Sequence, residues 1–299
     1  MRRLDGGAIL SPQEAADMDD LEDTQYRLEK ELEELRPIRA FVRMGDGTAA
    51  EAPAVMDEAT PTDLAPLREP PAAPQVAAHN FRFSEDYDLY PSGAKTKYKN
   101  NVMAIKLLKQ IELEKRTATP EEQIILARYV GWGGLANAFS STASGWENEY
   151  QELKSLLTDV EYKAAMNSTI TAYYTEPDLI RHIYRALERF GFEGGPDRKI
   201  LDPGMGTGNF YSVLPEQFQG SKLFGVELDS ITGRIAKQLY PDADISIMGY
   251  EATKFEDNSF DVILGNIPFN SVKIYDRRYN DLNPYIHDYF FIKSLDLAK

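Results

Sequence analysis

The sequence predicts an open parallel α/β sheet, preceded by a helical region and a disordered N-terminal segment. Three observations carry that reading. Short apolar runs recur at 199–202, 222–227, about 245–248 and 260–265. Helix-compatible segments, 209–218 and 230–239, separate the first of them. A glycine at every second position, Gly204, Gly206 and Gly208, follows the first run immediately. Strands that alternate with helices need crossover connections, and these produce parallel pairing with both sheet faces covered.

The N-terminal residues 1–79 divide into a helix and a linker. Ser11-Pro12-Gln13-Glu14 is a capping-box pattern with proline at the first helical position, and Leu21, Leu28, Leu32 and Leu35 share one face. Residues 45–78 are rich in Ala, Pro, Glu and Asp. That composition buries too little apolar area to offset chain entropy and predicts a disordered linker.

Residues 80–168 read as a helical subdomain. Val102, Ile105, Leu108 and Ile111 predict the buried face of a helix over 101–116. Lys95, Lys97, Lys99, Lys106, Lys109, Lys115 and Arg116 make this the most basic part of the chain, either a solvated face or a phosphate-contacting one. Thr119-Pro120-Glu121-Glu122 caps a further helix to about Val130, and Thr158-Asp159-Val160-Glu161 caps another. Between them, Gly131-Trp132-Gly133-Gly134-Leu135 reads as a helix stop or as a turn beside an aromatic lid.

Residues 169–299 hold the sheet. A helix with Leu179, Ile180, Ile183, Leu187 and Phe190 inward precedes the first strand, and Pro241 stops the helix over 230–239. The last segment, 285–299, predicts a helix. A sheet of this kind ordinarily has more strands, so the sequence is expected to be a piece of a longer protein, incomplete at its C-terminus.

Composition limits the chemistry. With 299 residues, 42% of them hydrophobic, the chain can bury a sizeable core. It has no cysteine and only three scattered histidines, His79, His182 and His287, so thiolate chemistry is excluded and no metal site is expected. No apolar run reaches the roughly 18 residues of a membrane span, and no apolar stretch follows Arg2 and Arg3, so a cytoplasmic protein is expected. The net charge of −15 is uneven: residues 1–79 carry 8 Lys/Arg against 17 Asp/Glu, the remainder 25 against 31. A global acidic balance therefore leaves room for a local basic surface.

The candidate site lies at three predicted strand ends. Asp202 ends the first strand, Glu227 the second, and Asn266-Ile267-Pro268-Phe269 follows the fourth. Ligands of open parallel sheets sit at such carboxyl ends. Glu227 follows Gly208 by 19 residues, and an acid there accepts hydrogen bonds from two ribose hydroxyls, which suits NAD and S-adenosylmethionine equally. The glycine spacing lacks the G-x-G-x-x-G phosphate fingerprint, and Asp202 repels a pyrophosphate while suiting an ammonium group. The Asn266 side-chain carbonyl and the next backbone carbonyl can accept both hydrogens of an exocyclic amino group, turning its lone pair toward an electrophilic methyl. Pro268 stiffens the turn. Phe269 offers a ring for an extruded base, and base–aromatic stacking is worth roughly 1–3 kcal/mol. Lys273, Arg277 and Arg278 follow in a loop that reads as a nucleic-acid contact or a solvated loop.

These motifs resemble the amino-methyltransferases that form N6-methyladenine in DNA. The likeness rests on Asp202-Pro203-Gly204-Met205-Gly206-Thr207-Gly208, on Asn266–Phe269, and on Tyr174-Thr175-Glu176-Pro177 placed upstream as in their gamma-type order. From Asn80 to Lys299 the chain more closely resembles the methyltransferase part of large methyltransferase–helicase proteins of conjugative elements and phages, including phage proteins that defend against restriction. Tyr129–Leu135, Gly225–Arg234 and Ile286-His287-Asp288-Tyr289-Phe290-Phe291 carry that closer likeness. The resemblance implies a Rossmann-like class I fold with S-adenosylmethionine held by Tyr174, Thr175, Asp202, Pro203, Gly204, Gly206, Gly208, Asn209, Phe210, Glu227 and Leu228. Glu251 stands where the family has an adenine-binding Asp, and Ile267 where its catalytic tetrad has proline. It implies methyl transfer to the N6 amino group of a flipped adenine in DNA, with Asn266, Ile267, Pro268 and Phe269 catalytic. It also implies a helicase portion C-terminal to this chain, and a bacterial or phage-infected cell. RNA bases and protein glutamine amides present similar nitrogens, and a non-catalytic DNA-binding or scaffolding fragment is a further alternative.

Overall fold

Alternation along the strands decides how the sheet is covered. In β1 (Lys199–Asp202), Ile200 faces one core and Leu201 the other, and both are fully buried. The computed structural model describes residues 79–299 except Pro91 and residues 171–174. The helix and linker expected within residues 1–78 lie outside the described residues. β1 pairs in parallel with β2 (Lys222–Glu227) and with β4 (Val262–Ile263), and β2 pairs in parallel with β3 (Asp244–Ile247). The order is β3-β2-β1-β4, so the expected parallel α/β sheet is present, with the reversal of strand order between β1 and β4.

β4 is shorter than the six residues expected. Pairing with β1 continues only through single bonds at its ends, Asp261 N–H to Lys199 O and Leu264 N–H to Leu201 O, each 3.0 Å. The outer edge of β4 is met by Ala298, which bridges Phe260 in parallel, and by Lys299, whose N–H donates to Phe260 O at 2.9 Å.

The helical region shares its core with the first sheet face. α1 (Ala94–Leu113) buries Val102, Ile105, Leu108 and Ile111 as its periodicity predicts, but begins before the expected start at Asn101. α2 (Pro120–Ala127) and α4 (Asp159–Asn167) both carry complete capping boxes, Thr119 with Glu122 and Thr158 with Glu161. Between these two helices runs α3 (Glu147–Leu156). α5 (Pro177–Arg189) buries Pro177, Ile180 and Tyr184, while Leu179 and Phe190, expected inward, are exposed. The reason is angular: a face through 177, 180 and 184 turns 179 outward, and Phe190 lies past the last turn, before Gly191 at φ 83°. α6 (Asn209–Ser212) is a single turn, not the helix expected to 218. Pro215 lacks an N–H, and the carbonyls of Phe210 and Ser212 are taken by Tyr184 Oη and Phe83 N–H. α7 (Ser230–Leu239) is capped by Asp229, which accepts from Thr232 N–H at 2.8 Å. α8 (Ile286–Leu297) covers the second face, where Tyr289, Phe290 and Leu297 join Leu201, Val226, Tyr250 and Phe260.

The basic stretch on α1 is largely spent within the fold. Lys95 pairs with Glu149 at 2.6 Å, Lys106 with Glu152 at 2.7 Å, and Arg116 with Glu122 through two bonds. Lys109 reaches Glu161 at 3.0 Å, and Arg234 on α7 reaches the same carboxylate at 2.9 Å. Glu161 therefore joins α1, α4 and α7. Burial pushes its carboxyl up, but the Thr158 N–H and the two cations outweigh burial and hold it at about 2. Because the folded pKa is depressed, its contribution is complete above the unfolded value and is lost as pH falls from about 4 to about 2. Glu161→Ala should cost about 3 kcal/mol in urea unfolding at neutral pH, leaving Lys109 and Arg234 without their shared anion.

Candidate functional site

The three carboxyl strand ends open on one cavity of about 840 Å³, within the range of small-molecule sites. Asp202, at the end of β1, is 1% exposed, and its Oδ1 accepts from Gly204 N–H at 3.2 Å. Burial pushes its carboxyl up to about 8, and the neighbouring Glu227 adds to the rise. Glu227, at the end of β2, accepts from Gly206 N–H at 2.9 Å and from Asp229 N–H at 2.7 Å. Burial raises it to about 7 against the pull of those two amides.

Close approach explains the glycines. Gly206 takes φ 57°, a left-handed conformation that allows its N–H to meet Glu227. A Cβ on Gly204 would lie 3.8 Å from Asn266 O and from Pro268 Cδ, so the glycine bend backs directly onto the turn after β4. Gly208, expected among the cofactor residues, lies outside the cavity lining. It caps α6, and a Cβ there would run into the Tyr240 ring, so its part is packing.

The remaining expected residues fall as follows. Pro203, Asn209, Phe210, Leu228, Glu251 and Thr175 line the cavity, as do Asn266, Ile267, Pro268 and Phe269. Tyr174 lies outside the described residues. Thr175 Oγ1 is buried with no hydrogen-bond partner among the described residues, while Thr175 O accepts from Asn209 Nδ2 at 3.2 Å. Lys273 stands over the Tyr285 ring at 5.3 Å, and Arg277 is exposed. Arg278 is held by Asp257 through bonds of 2.6 and 2.9 Å and by Asp296 at 2.8 Å, which ties it to the protein.

Several lining residues were not among the site residues expected from the sequence. Tyr129, Gly131, Asn167 and Ser168 bring the helical region into the cavity wall, beside Asp229 and Thr232. Gly131 ends the chain's path from α2, and its carbonyl accepts from the fully buried Asn101 at 2.5 Å, while Asn101 Oδ1 accepts from Val130 N–H at 2.9 Å. Trp132 is core, 1% exposed and edge-on to Phe139 at 5.1 Å, so it is not a lid. The cavity floor at Tyr250 rests on Lys293, buried on α8. Lys293 Nζ donates to Tyr250 O at 2.6 Å and stands 3.7 Å from Asp276, which also accepts from Tyr289 Oη at 2.6 Å. Burial lowers the Lys293 ammonium.

The residues fit S-adenosylmethionine. The described lining holds four carboxylates, Asp202, Glu227, Asp229 and Glu251, and no Lys or Arg, which favours a cation over a pyrophosphate. Glu227 retains lone pairs for a ribose diol, and the unpartnered Thr175 Oγ1 awaits a polar group. Bound, the cofactor supplies an electrophilic methyl group on a sulfonium.

Three outcomes are expected. Gly206→Val should abolish S-adenosylmethionine binding in calorimetry, because a β-branched residue resists φ 57° and loses the Glu227 bond. The raised Asp202 and Glu227 keep protons in the native state that the unfolded chain has released, so stability falls as pH rises from about 4 to about 8. The melting temperature of the free protein should therefore drop between about pH 6 and about pH 8, and the increment given by the cofactor should grow over that interval. Lys293→Met should cost about 1–3 kcal/mol and weaken cofactor binding, since Tyr250 O loses its donor.

Comparison with known proteins places the chain among these similarities. Residues 201–278 match the family described as "Methyltransferase domain". The chain is 27% identical over 206 residues to Defense against restriction protein B of Escherichia phage P1, covering 67% of this chain but 7% of the phage protein. It is 32% identical over 78 residues to Modification methylase CviBIII of Paramecium bursaria Chlorella virus NC1A, covering 26% of this chain and 21% of the methylase. A TehB-like methyltransferase from Corynebacterium glutamicum aligns at 25% identity over 30% of this chain and 54% of its own, with a TM-score of 0.21. Residues 201–278 thus match a methyltransferase domain in sequence and lie on a Rossmann-like α/β sheet whose strand-end residues fit S-adenosylmethionine as cofactor.

Proposed function

We propose that the protein transfers a methyl group from S-adenosylmethionine to the N6 amino group of adenine in DNA. The observation that carries the reading is the apposition of Gly204 to the Asn266 backbone and Pro268 across β1 and β4, which supports a turn that offers its amino-group acceptors beside the cofactor cradle. Asn266 Oδ1 and the Ile267 carbonyl accept the two amino hydrogens. The nitrogen then becomes pyramidal, its lone pair takes the methyl as the methyl–sulfur bond breaks, and the surplus proton on the nitrogen passes to solvent. Adenine N6 is a weak nucleophile because that lone pair is delocalised into the ring, so preorganised acceptors serve better here than a strong base. Ile267 replaces the proline usual at that position but leaves the backbone carbonyl in place. Its side chain packs on the second core, which holds the turn from behind. Phe269, 70% exposed beside this turn, presents a face for the extruded base.

The names of two relatives, a modification methylase and a protein of defense against restriction, support DNA as the substrate class. Lys273, between the lining residues Val272 and Ile274, and Arg277 further along the same loop are the cations we assign to phosphate contacts, and Arg278 serves the loop instead. The alignment to 7% of a phage protein supports a domain that works within a larger polypeptide, and a helicase portion among its neighbours is part of our proposal.

The test is transfer of tritiated methyl to separate pools of DNA, RNA and protein. Label in DNA, recovered as N6-methyladenine, is the expected result, and label only in RNA or protein overturns the assignment. Asn266→Ala should lower the transfer rate by about 100-fold or more while cofactor affinity stays within about twofold.

A further inference from the structure

The segment Ile286-His287-Asp288-Tyr289-Phe290-Phe291 opens α8, and most of it has a place in the site already. Ile286 and Phe290 line the cavity, and Tyr289 holds Asp276. His287 is not itself part of the lining and takes no part in that network. Its imidazole stacks instead on two other rings. It lies 5.5 Å from Phe269 at an interplanar angle of 18°, and 5.9 Å from Tyr285 at 13°. Lys273 Nζ stands over Tyr285, so a cation and three near-parallel rings form a series that ends at Phe269.

Among the described residues, no hydrogen bond orients this imidazole. Nδ1 is buried with no partner, and Nε2 is 3.7 Å from Asp288 Oδ1, beyond hydrogen-bond reach. Ring stacking therefore sets its plane. The same contact restrains Phe269, which sits on a loop after Pro268 and is 70% exposed. Among the described residues, His287 is the ring that Phe269 stacks on. A ring that exposed would otherwise sample several rotamers, and ordering it would oppose binding of any planar group.

We propose that His287 is a positioning residue for the target base: backed by Tyr285, it holds the Phe269 ring as a preformed stacking surface at the cavity mouth. The role rests on the reading of the site as a base methyltransferase. It acts on recognition of the base and not on the cofactor, because His287 is absent from the lining that Asp202 and Glu227 build. The property that matters is a flat aromatic ring, not a titrating nitrogen.

The experiment measures initial rates on unmethylated bacterial DNA for the wild type, His287→Ala and His287→Phe, with cofactor affinity by calorimetry and thermal melting alongside. His287→Ala should raise the KM for DNA about tenfold, the scale expected for freeing one side chain at a binding surface, with cofactor affinity unchanged. His287→Phe should return the KM to within about twofold of wild type, because it restores a ring without the nitrogens. Equal KM values for wild type and His287→Ala overturn the role. So does a His287→Phe variant as impaired as His287→Ala, or an equal loss of cofactor affinity in both. If the wild type binds cofactor but transfers nothing to DNA, the DNA reading itself falls and takes this role with it.

Discussion

The carboxylate of Glu227 is the constraint around which the site is built. It accepts Gly206 N–H from the bend after β1 and Asp229 N–H from the start of α7, so one side chain closes two loops against each other. Holding an anion there is costly, and burial raises the carboxyl to about 7 beside an Asp202 raised to about 8. The free site thus carries electrostatic strain that a cationic ligand relieves. A positively charged cofactor is favoured there, because it would offset the cost of burying the two carboxylates.

The cavity is assembled from parts distant in sequence. The sheet contributes the strand ends, the helical region contributes Gly131, Asn167 and Ser168, and α8 underlies the Tyr250 turn through Lys293. The helical region and the first sheet face form one continuous core, from Phe81 through Ile105 and Trp132 to Ile200 and Ile245. The Glu161 cluster welds α1 and α4 to α7, whose N-terminus lies beside Glu227. Packing far from the strand ends therefore bears on the cofactor wall.

Much of this was legible in local patterns. β1 and β2 were readable residue by residue because each is a short apolar run closed by an acid, and a capping box announced both α2 and α4. The glycine bend and the Asn266 turn were readable as strand-end features. Other parts left no local trace. Gly131 gave a helix stop, but its place in the cavity depends on Asn101 taking its carbonyl, a contact 30 residues apart. Arg278 looked like a free cation, and its carboxylate partners Asp257 and Asp296 come from two other segments. Likewise the lysines of α1 read as a basic face until Glu149, Glu152 and Glu161 were brought against them.

By itself the sequence determined the period of each element, the caps that start the helices and the residue types at the strand ends, because those depend on neighbours within a few positions. Tertiary structure alone decided which of these residues share a cavity, that Gly208 packs on Tyr240 while Gly204 meets Asn266, and that Trp132 is core. Strand order and the crossing of long-range hydrogen bonds and ion pairs set those outcomes, and neither is encoded in any single stretch of the chain.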